Sequence, residues 1–456
     1  MKRDRHRSPG DLLKSIDRMF DHSAGKILAL ENRWQPADGA PVFTIGGQYH
    51  SRGWTEWTQG FQFGSALLQF DATDDGAFLE LGRSRTVERM APHVTHVGVH
   101  DHGFNNVSTY GALWRLAREE RFEAEPWEDR FYELALRVSG AVQAGRWTDL
   151  PRGGFIYSFN GAHSLFVDTI RSLRALALSH ALGHRLCGEQ DASIDLLTRL
   201  VQHATATAEF AIYYGKGRDA YDMRGRVAHE SIFNIANGSY RGPNSQQGYS
   251  ALSTWTRGLA WAMLGFAEQL EFIAVLPNNE LDTRGGREVI NNVMLEAARA
   301  TCDFYIESAT AADGIPYWDT GAPGLDALGD WRARPADPFN DREPVDSSAA
   351  AIACQGLLRL GHLLGPANGD GYVQAGLQVL EVLLDERGPY LSTDGGHEGL
   401  LLHAIYHRPM GWDFVPPGSA IPRGESCQWG DYHLRESALY VRRLATGQPY
   451  LKFFAT

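Results

Sequence analysis

Twelve stretches of this chain repeat apolar residues at helical spacing, and every second one opens on a residue cluster that a plain amphipathic helix does not need. The stretches are 11–30, 57–73, 77–94, 105–120, 125–146, 164–184, 191–213, 253–273, 287–308, 346–364, 371–386 and 429–446. Odd members, such as 125–146 and 191–213, carry a charged outer face and begin unremarkably. Even members begin with Trp57-Thr58-Gln59-Gly60-Phe61, His100-Asp101-His102-Gly103-Phe104, Ser164-Leu165-Phe166-Val167-Asp168, Ser253 to Trp261, Asp346-Ser347-Ser348-Ala349 and Gln428-Trp429-Gly430-Asp431-Tyr432. Six unusual starts on alternate helices predict six parallel inner helices with their N-terminal ends on one rim, and six outer helices returning the chain. The expected fold is therefore all-α, an (α/α)6 barrel. No shared consensus repeats along the chain, which argues against a solenoid. The long connections 214–252, 309–345 and 387–428 each lead into an even helix and should reach the same rim. Short β-strands are expected in the loops, near Pro41 to Gln48 and within 227–241. No linker divides the chain, so one catalytic domain over 1–456 is expected, with a short flexible segment at about 1–10.

Net charge is −12, from 43 basic and 55 acidic residues, with no basic run in either half. A nucleic-acid groove and an anionic membrane surface are poor fits to that balance. No apolar stretch is read as reaching the ~18 residues that cross a bilayer. Leu12-Leu13 is followed at once by Lys14, so no signal-peptide core is expected and the chain reads as cytoplasmic. An export signal upstream of this start would make it periplasmic instead. Cys187, Cys302, Cys354 and Cys427 lie far apart, and the seventeen histidines include no ligand-spaced cluster. No disulfide framework, metal or cofactor is expected. A monomer and a homodimer both fit.

The segment Ser253-Thr254-Trp255-Thr256-Arg257-Gly258-Leu259-Ala260-Trp261 suits the start of a site for an acidic sugar. Ser253 or Thr254 can cap free backbone N–H groups, and the positive helix end favours anions. Trp255 and Trp261 offer flat faces for sugar rings, and Arg257 can grip a carboxylate with two parallel hydrogen bonds. A capped core helix with two packing tryptophans reads the same residues equally well. Asp168 sits at an apolar helix start, where burial should raise its pKa toward that of a general acid. The structural alternative is a carboxylate bonded to a neighbouring helix or to Arg171. Asp101 is a second candidate, with a helix cap as its alternative; His100 and His102 could tune its charge. Asp346 reads chiefly as a cap and Asp431 chiefly as structural. Paired carboxylates across a cleft are the usual equipment of glycoside chemistry.

Together these segments resemble glycoside hydrolase family 88, the unsaturated glucuronyl hydrolases. The matching pieces are W-T-x-G-F at Trp57 to Phe61, H-D-x-G-F at His100 to Phe104, and V-D-T at Val167 to Thr169. They continue with Q-G and S-T-W-T-R-G-x-A-W over Gln247 to Trp261, D-G-x-x-Y-W-D at Asp313 to Asp319, D-S-S-A at Asp346 to Ala349 and W-G-D-Y at Trp429 to Tyr432. The resemblance implies an (α/α)6 barrel acting on unsaturated uronic-acid oligosaccharides left by polysaccharide lyases. It implies hydration of a C4=C5 enol ether, with release of the neighbouring sugar. By resemblance Asp168 matches the general acid/base and Asp101 the second essential carboxylate. Trp57, His100, Gln247, Trp255, Arg257 and Trp261 match substrate-binding positions. The chain departs from the pattern at Gln246, where the family commonly has His, and at Tyr157 or Phe159 in place of a Trp upstream of the acid/base. A further departure is the insertion Asp413 to Ser426, and the Ser/Lys pattern associated with sulfated substrates is missing. Rival readings are an unsaturated rhamnogalacturonyl hydrolase, a catalytically silent sugar-binding barrel and, less favoured, a sugar epimerase on a similar toroid.

Overall fold

A helix buried around its whole circumference is surrounded by other elements. Gln59–Thr73 buries every residue from Gly60 to Ala72, Thr256–Val275 every residue from Thr256 to Ile273, and Gln428–Ala445 every residue from Gln428 to Val441. The computed structural model describes all residues except 3–4, 55–56 and 455–456. In it these helices form part of a closed inner ring. Thr256–Val275 touches Ser347–Leu384, which touches Gln428–Ala445, which touches Gln59–Thr73. The ring continues through His102–Asn106, the wide helical turn Val107–Gly111 and Ala112–Arg118, and closes through Thr169–Ser172 and Arg174–Ala181 onto Thr256–Val275. Pro9–Arg33, Gly76–Arg89, Pro126–Gly145, Leu196–Phe210 and Arg287–Phe304 pack outside, each against an inner neighbour. The sixth outer helix is the second half of Ser347–Leu384, which folds back where Gly365 takes a left-handed φ of 71° just before Pro366. The inner and outer helices alternate as expected, in an (α/α)6 barrel.

The glycines of the motifs W-T-x-G-F and H-D-x-G-F explain how the inner helices come so close. A side chain at Gly60 would run into the backbone of Asn105, and one at Gly103 into the backbone of Ser172. Both glycine N–H groups are then used across the same contacts, toward Asn105 Oδ1 and Ser172 Oγ, each at 2.9 Å. Beneath the rim, the barrel axis holds ions rather than hydrocarbon alone. Arg171 pairs with Glu268 at 2.9 Å and with Glu436 at 2.8 Å, Arg174 lies beside both carboxylates, and all four side chains are buried.

Several expectations need correction. The sixth stretch does not start as a helix: Ser164–Phe166 is a strand paired with Glu230–Phe233, which pairs in turn with Tyr240–Asn244. A short run such as Leu165-Phe166-Val167 is compatible with buried strand and buried helix alike. The other expected strands appear as the hairpin Phe43–Ile45 and Gln48–His50. Thr256–Val275 is in fact long and apolar enough to cross a membrane, but 89% of the window is buried inside the barrel. The N-terminal segment, expected to be flexible, is tied down in its described residues. Lys2 N–H donates to the Ala312 carbonyl at 2.9 Å, and the Arg7 backbone N–H to Gln374 at 2.7 Å.

Candidate active site

Parallel inner helices put their starting residues on one rim, and a small cavity of about 30 Å³ lies there. Its lining includes Trp57, His100, Asp101, Asp168, Gln247, Trp255, Arg257 and Trp261, all eight residues singled out above, together with Phe104 and Phe159.

His100 bridges the two carboxylates. Its Nε2 lies 3.1 Å from Asp168 Oδ1 and 3.6 Å from Asp101 Oδ1, and the ring is fully buried. Burial opposes a charge on that imidazole, but the two carboxylates outweigh it and hold its pKa above the usual 6.5. The complementary effect falls on Asp168. Burial alone would raise its pKa, but the His100 hydrogen bond and charge, with His229 and Arg257 behind, bring it below 3.8. The expected upward shift is therefore corrected: the His100 contact favours the charged form of Asp168 and, in return, the protonated form of His100. Arg171 takes no part, because its guanidinium turns down to Glu268 and Glu436. His102 also turns away from Asp101, with its ring nitrogens 3.0 Å from Ser139 Oγ and from the His96 carbonyl, and burial lowers its pKa to about 4.

Arg257 is not the free cation that the sequence suggests. Its two terminal nitrogens donate to Asp346 Oδ2 at 3.2 Å, Gln247 Oε1 at 2.9 Å, the Tyr406 carbonyl at 2.6 Å and the Ile405 carbonyl. The guanidinium is also sandwiched between Trp255 and Trp429, at 4.6 and 4.9 Å from the ring centres. A two-pronged grip on a ligand carboxylate would have to break those bonds. With its oxygen on Arg257, Gln247 has its NH2 group left to offer a ligand. Asp346 combines this ion pair with the expected cap, accepting from the Ser348 and Ala349 N–H groups. Asp431 is structural, accepting from Leu400 N, Leu401 N and Tyr49 Oη.

Neither Ser253 nor Thr254 caps the helix Thr256–Val275. Ser253 Oγ accepts from Ser250 N and Thr254 Oγ1 from Val227 N, because Trp255 pairs with Asp319 in a short bridge instead. Trp255 and Trp261 are also walls rather than platforms. They are 3% and 2% exposed, with Trp261 packed on Phe104 and His433. Trp57 stacks on Trp429 with ring centres 4.8 Å apart.

Sequence reasoning missed His229. Its Nδ1 accepts from the Gln246 N–H at 3.0 Å, its carbonyl accepts from Val167 N, and its ring packs on Phe166 and Trp255. It therefore ties the turn before Asp168 to the loop that carries Gln247. A lone histidine inside a predicted strand gives no signal of that role.

No protein-family model matches the chain. It is 26% identical over 404 residues to an unsaturated glucuronyl hydrolase of Bacillus sp. (strain GL1), covering 87% of this chain and 89% of the relative. It is 23% identical to an unsaturated chondroitin disaccharide hydrolase of Streptococcus pneumoniae, over 84% of this chain and 81% of that one. The solved unsaturated glucuronyl hydrolase from Bacillus sp. GL1 superposes with a TM-score of 0.70 at 22% identity, over 94% of this chain and 97% of the other. In the order of its motifs, in relatives matched over most of its length and in its barrel, the chain is similar to the unsaturated glucuronyl hydrolases.

Proposed function

We propose that the protein hydrates the C4=C5 double bond of a terminal unsaturated uronic acid and so releases the sugar to which that residue is attached. The observation that carries this reading is the pair of carboxylates, Asp101 and Asp168, joined through His100 and lining the rim cavity together with Trp57, Gln247 and Arg257. In this reading Asp168 takes the proton held by the His100–Asp168 pair and delivers it to C4. Positive charge then develops at C5 and the ring oxygen, where the ionised Asp101 stabilises it. Asp168, now a carboxylate, accepts a proton from the water that adds at C5. The product is a hemiketal, which opens with loss of the aglycone; the net change is the addition of one water. Gln247, held by Arg257, presents its NH2 to the uronate carboxylate, and Trp57 covers the ring. The names of the relatives, unsaturated glucuronyl hydrolase and unsaturated chondroitin disaccharide hydrolase, support the substrate class.

The test is the loss of near-ultraviolet enoate absorbance on unsaturated oligosaccharides made by lyases from chondroitin, hyaluronan, heparin, alginate, gellan and rhamnogalacturonan. Decay is expected on at least one, and Asp168→Asn should abolish it while thermal unfolding stays cooperative. A fully active Asp168→Asn protein would end the assignment of the acid. Saturable binding with no decay would make this a sugar-binding barrel.

A further inference from the structure

In the hydration reading the reacting ring lies against Asp101 and Asp168, so the rest of an oligosaccharide must leave through the mouth of the cavity. The mouth is marked by Phe159, which lines the cavity, faces the His100 ring at 6.0 Å between centres and is still 40% exposed. From Phe159 the aromatic surface continues outward. Trp54 lies 6.1 Å from Phe159, and Trp412 lies 5.6 Å from Trp54. Trp54 is 57% exposed, which is unusual for so large an apolar ring. Its backbone has a φ of 61°, in the left-handed region that bulky residues seldom hold without a reason, and such outliers gather at ligand clamps. Trp412 is held from behind, on Tyr406 at 5.3 Å and His407 at 5.0 Å.

We infer that Phe159, Trp54 and Trp412 form an aglycone platform, and that the sugars it takes beyond the unsaturated residue are uncharged. This rests on the hydration reading above. The apolar face of a pyranose suits exposed indole and phenyl rings, whereas a sulfate group laid on those rings would lose water to apolar surface. Among the described residues, the basic side chain in contact with the Trp412 ring is Arg52, which is engaged in building the platform. Its guanidinium lies over Phe43 at 5.1 Å and Trp412 at 6.0 Å and donates to the Trp412 carbonyl at 3.1 Å. The platform therefore selects a neutral chain of two or more sugars over a sulfated disaccharide. Trp54 comes from the loop before the first inner helix and Trp412 from the residue before the insertion, so the preference is a property of these two loops rather than of the barrel.

The experiment compares kcat/KM on three substrates with the same unsaturated terminus: its methyl glycoside, a neutral tetrasaccharide and a sulfated disaccharide. The wild-type protein should favour the tetrasaccharide over the methyl glycoside by about tenfold or more. Trp54→Ala and Trp412→Ala should each reduce that ratio by about fivefold, mainly through KM, and Trp54→Phe should restore most of it. A thermal midpoint for each variant separates lost contact from lost fold; Trp54, being exposed, can be removed with little effect on folding. An unchanged ratio in Trp54→Ala, or a preference for the sulfated disaccharide, would overturn the platform while leaving the hydration reading intact. No turnover of any of the three by the wild-type protein would bring down the hydration reading, and the platform with it.

Discussion

Replacing His100 with Gln should move the alkaline limb of the kcat/KM profile to lower pH. Gln places a neutral N–H near the position of His100 Nε2, 3.1 Å from Asp168, but it cannot carry the proton that the imidazole holds. In the wild-type site the first proton to leave the pair belongs to His100, whose pKa lies above 6.5 because Asp101 and Asp168 face it. The working proton is thus retained until the pH passes that raised value. In the variant it must be held by Asp168 itself. A charge-assisted hydrogen bond is worth about 1.5–3 kcal/mol and a neutral one about half that. The loss of charge therefore frees Asp168 to rise by about one pKa unit at 1.36 kcal/mol per unit. That rise starts from below the ordinary carboxylate value, whereas the wild-type His100 lies above the ordinary imidazole value. The limb should move acidward by more than about one unit, with a lower plateau rate and a KM that changes little. Initial rates of enoate loss across pH, at substrate well below KM, read the limb directly. A limb that stays in place would show that His100 is not where the proton waits.

Arg257→Lys keeps the charge, but one nitrogen cannot serve Asp346, Gln247 and two carbonyls at once, so chemical denaturation should register a loss of about 3 kcal/mol. KM should rise with it as Gln247 loses its anchor, and unchanged stability and KM would refute the bracing described here. Glu268 makes a stability prediction. Burial raises its pKa from 4.5 to about 7, so its contribution is complete below pH 4.5 and is lost as the pH rises through 7. The thermal midpoint of the wild-type protein should fall relative to Glu268→Gln across that window, by the equivalent of about 3 kcal/mol; parallel curves for the two proteins would contradict it.

The barrel and the gathering of the site were readable because they follow from one regularity. Residues such as Trp57, Asp101, Asp168, Gln247 and Arg257 stand at or just before the starts of alternate helices, and parallel packing brings such positions to one rim. What lay beyond the sequence was the direction in which each side chain spends its bonds. Asp168 reads as a buried acid with a raised pKa, and the opposite holds because a ring nitrogen of His100 happens to face it. Arg257 reads as a free grip, and the carbonyls that occupy it come from Ile405 and Tyr406, in a loop with no pattern of its own. Trp54 and Trp412 escaped notice for the same reason: isolated aromatics in loops carry no period. The strand Ser164–Phe166 was lost to an ambiguity between two buried conformations, which only its partner Glu230–Phe233 resolves.

The stacking of Trp57 on Trp429 has a bearing on how the protein is made. The inner helix nearest the N-terminus can close its side of the ring only against the last helix, Gln428–Ala445, and Pro9–Arg33 must wait for the same partner. A nascent chain on the ribosome leaves Trp57 and Phe61 without Trp429 and Tyr432, the rings they pack on, until that helix has emerged. Production in a heterologous host should therefore depend on chaperone supply during elongation. Loss of the final helix should give insoluble or degraded protein rather than a weakened enzyme.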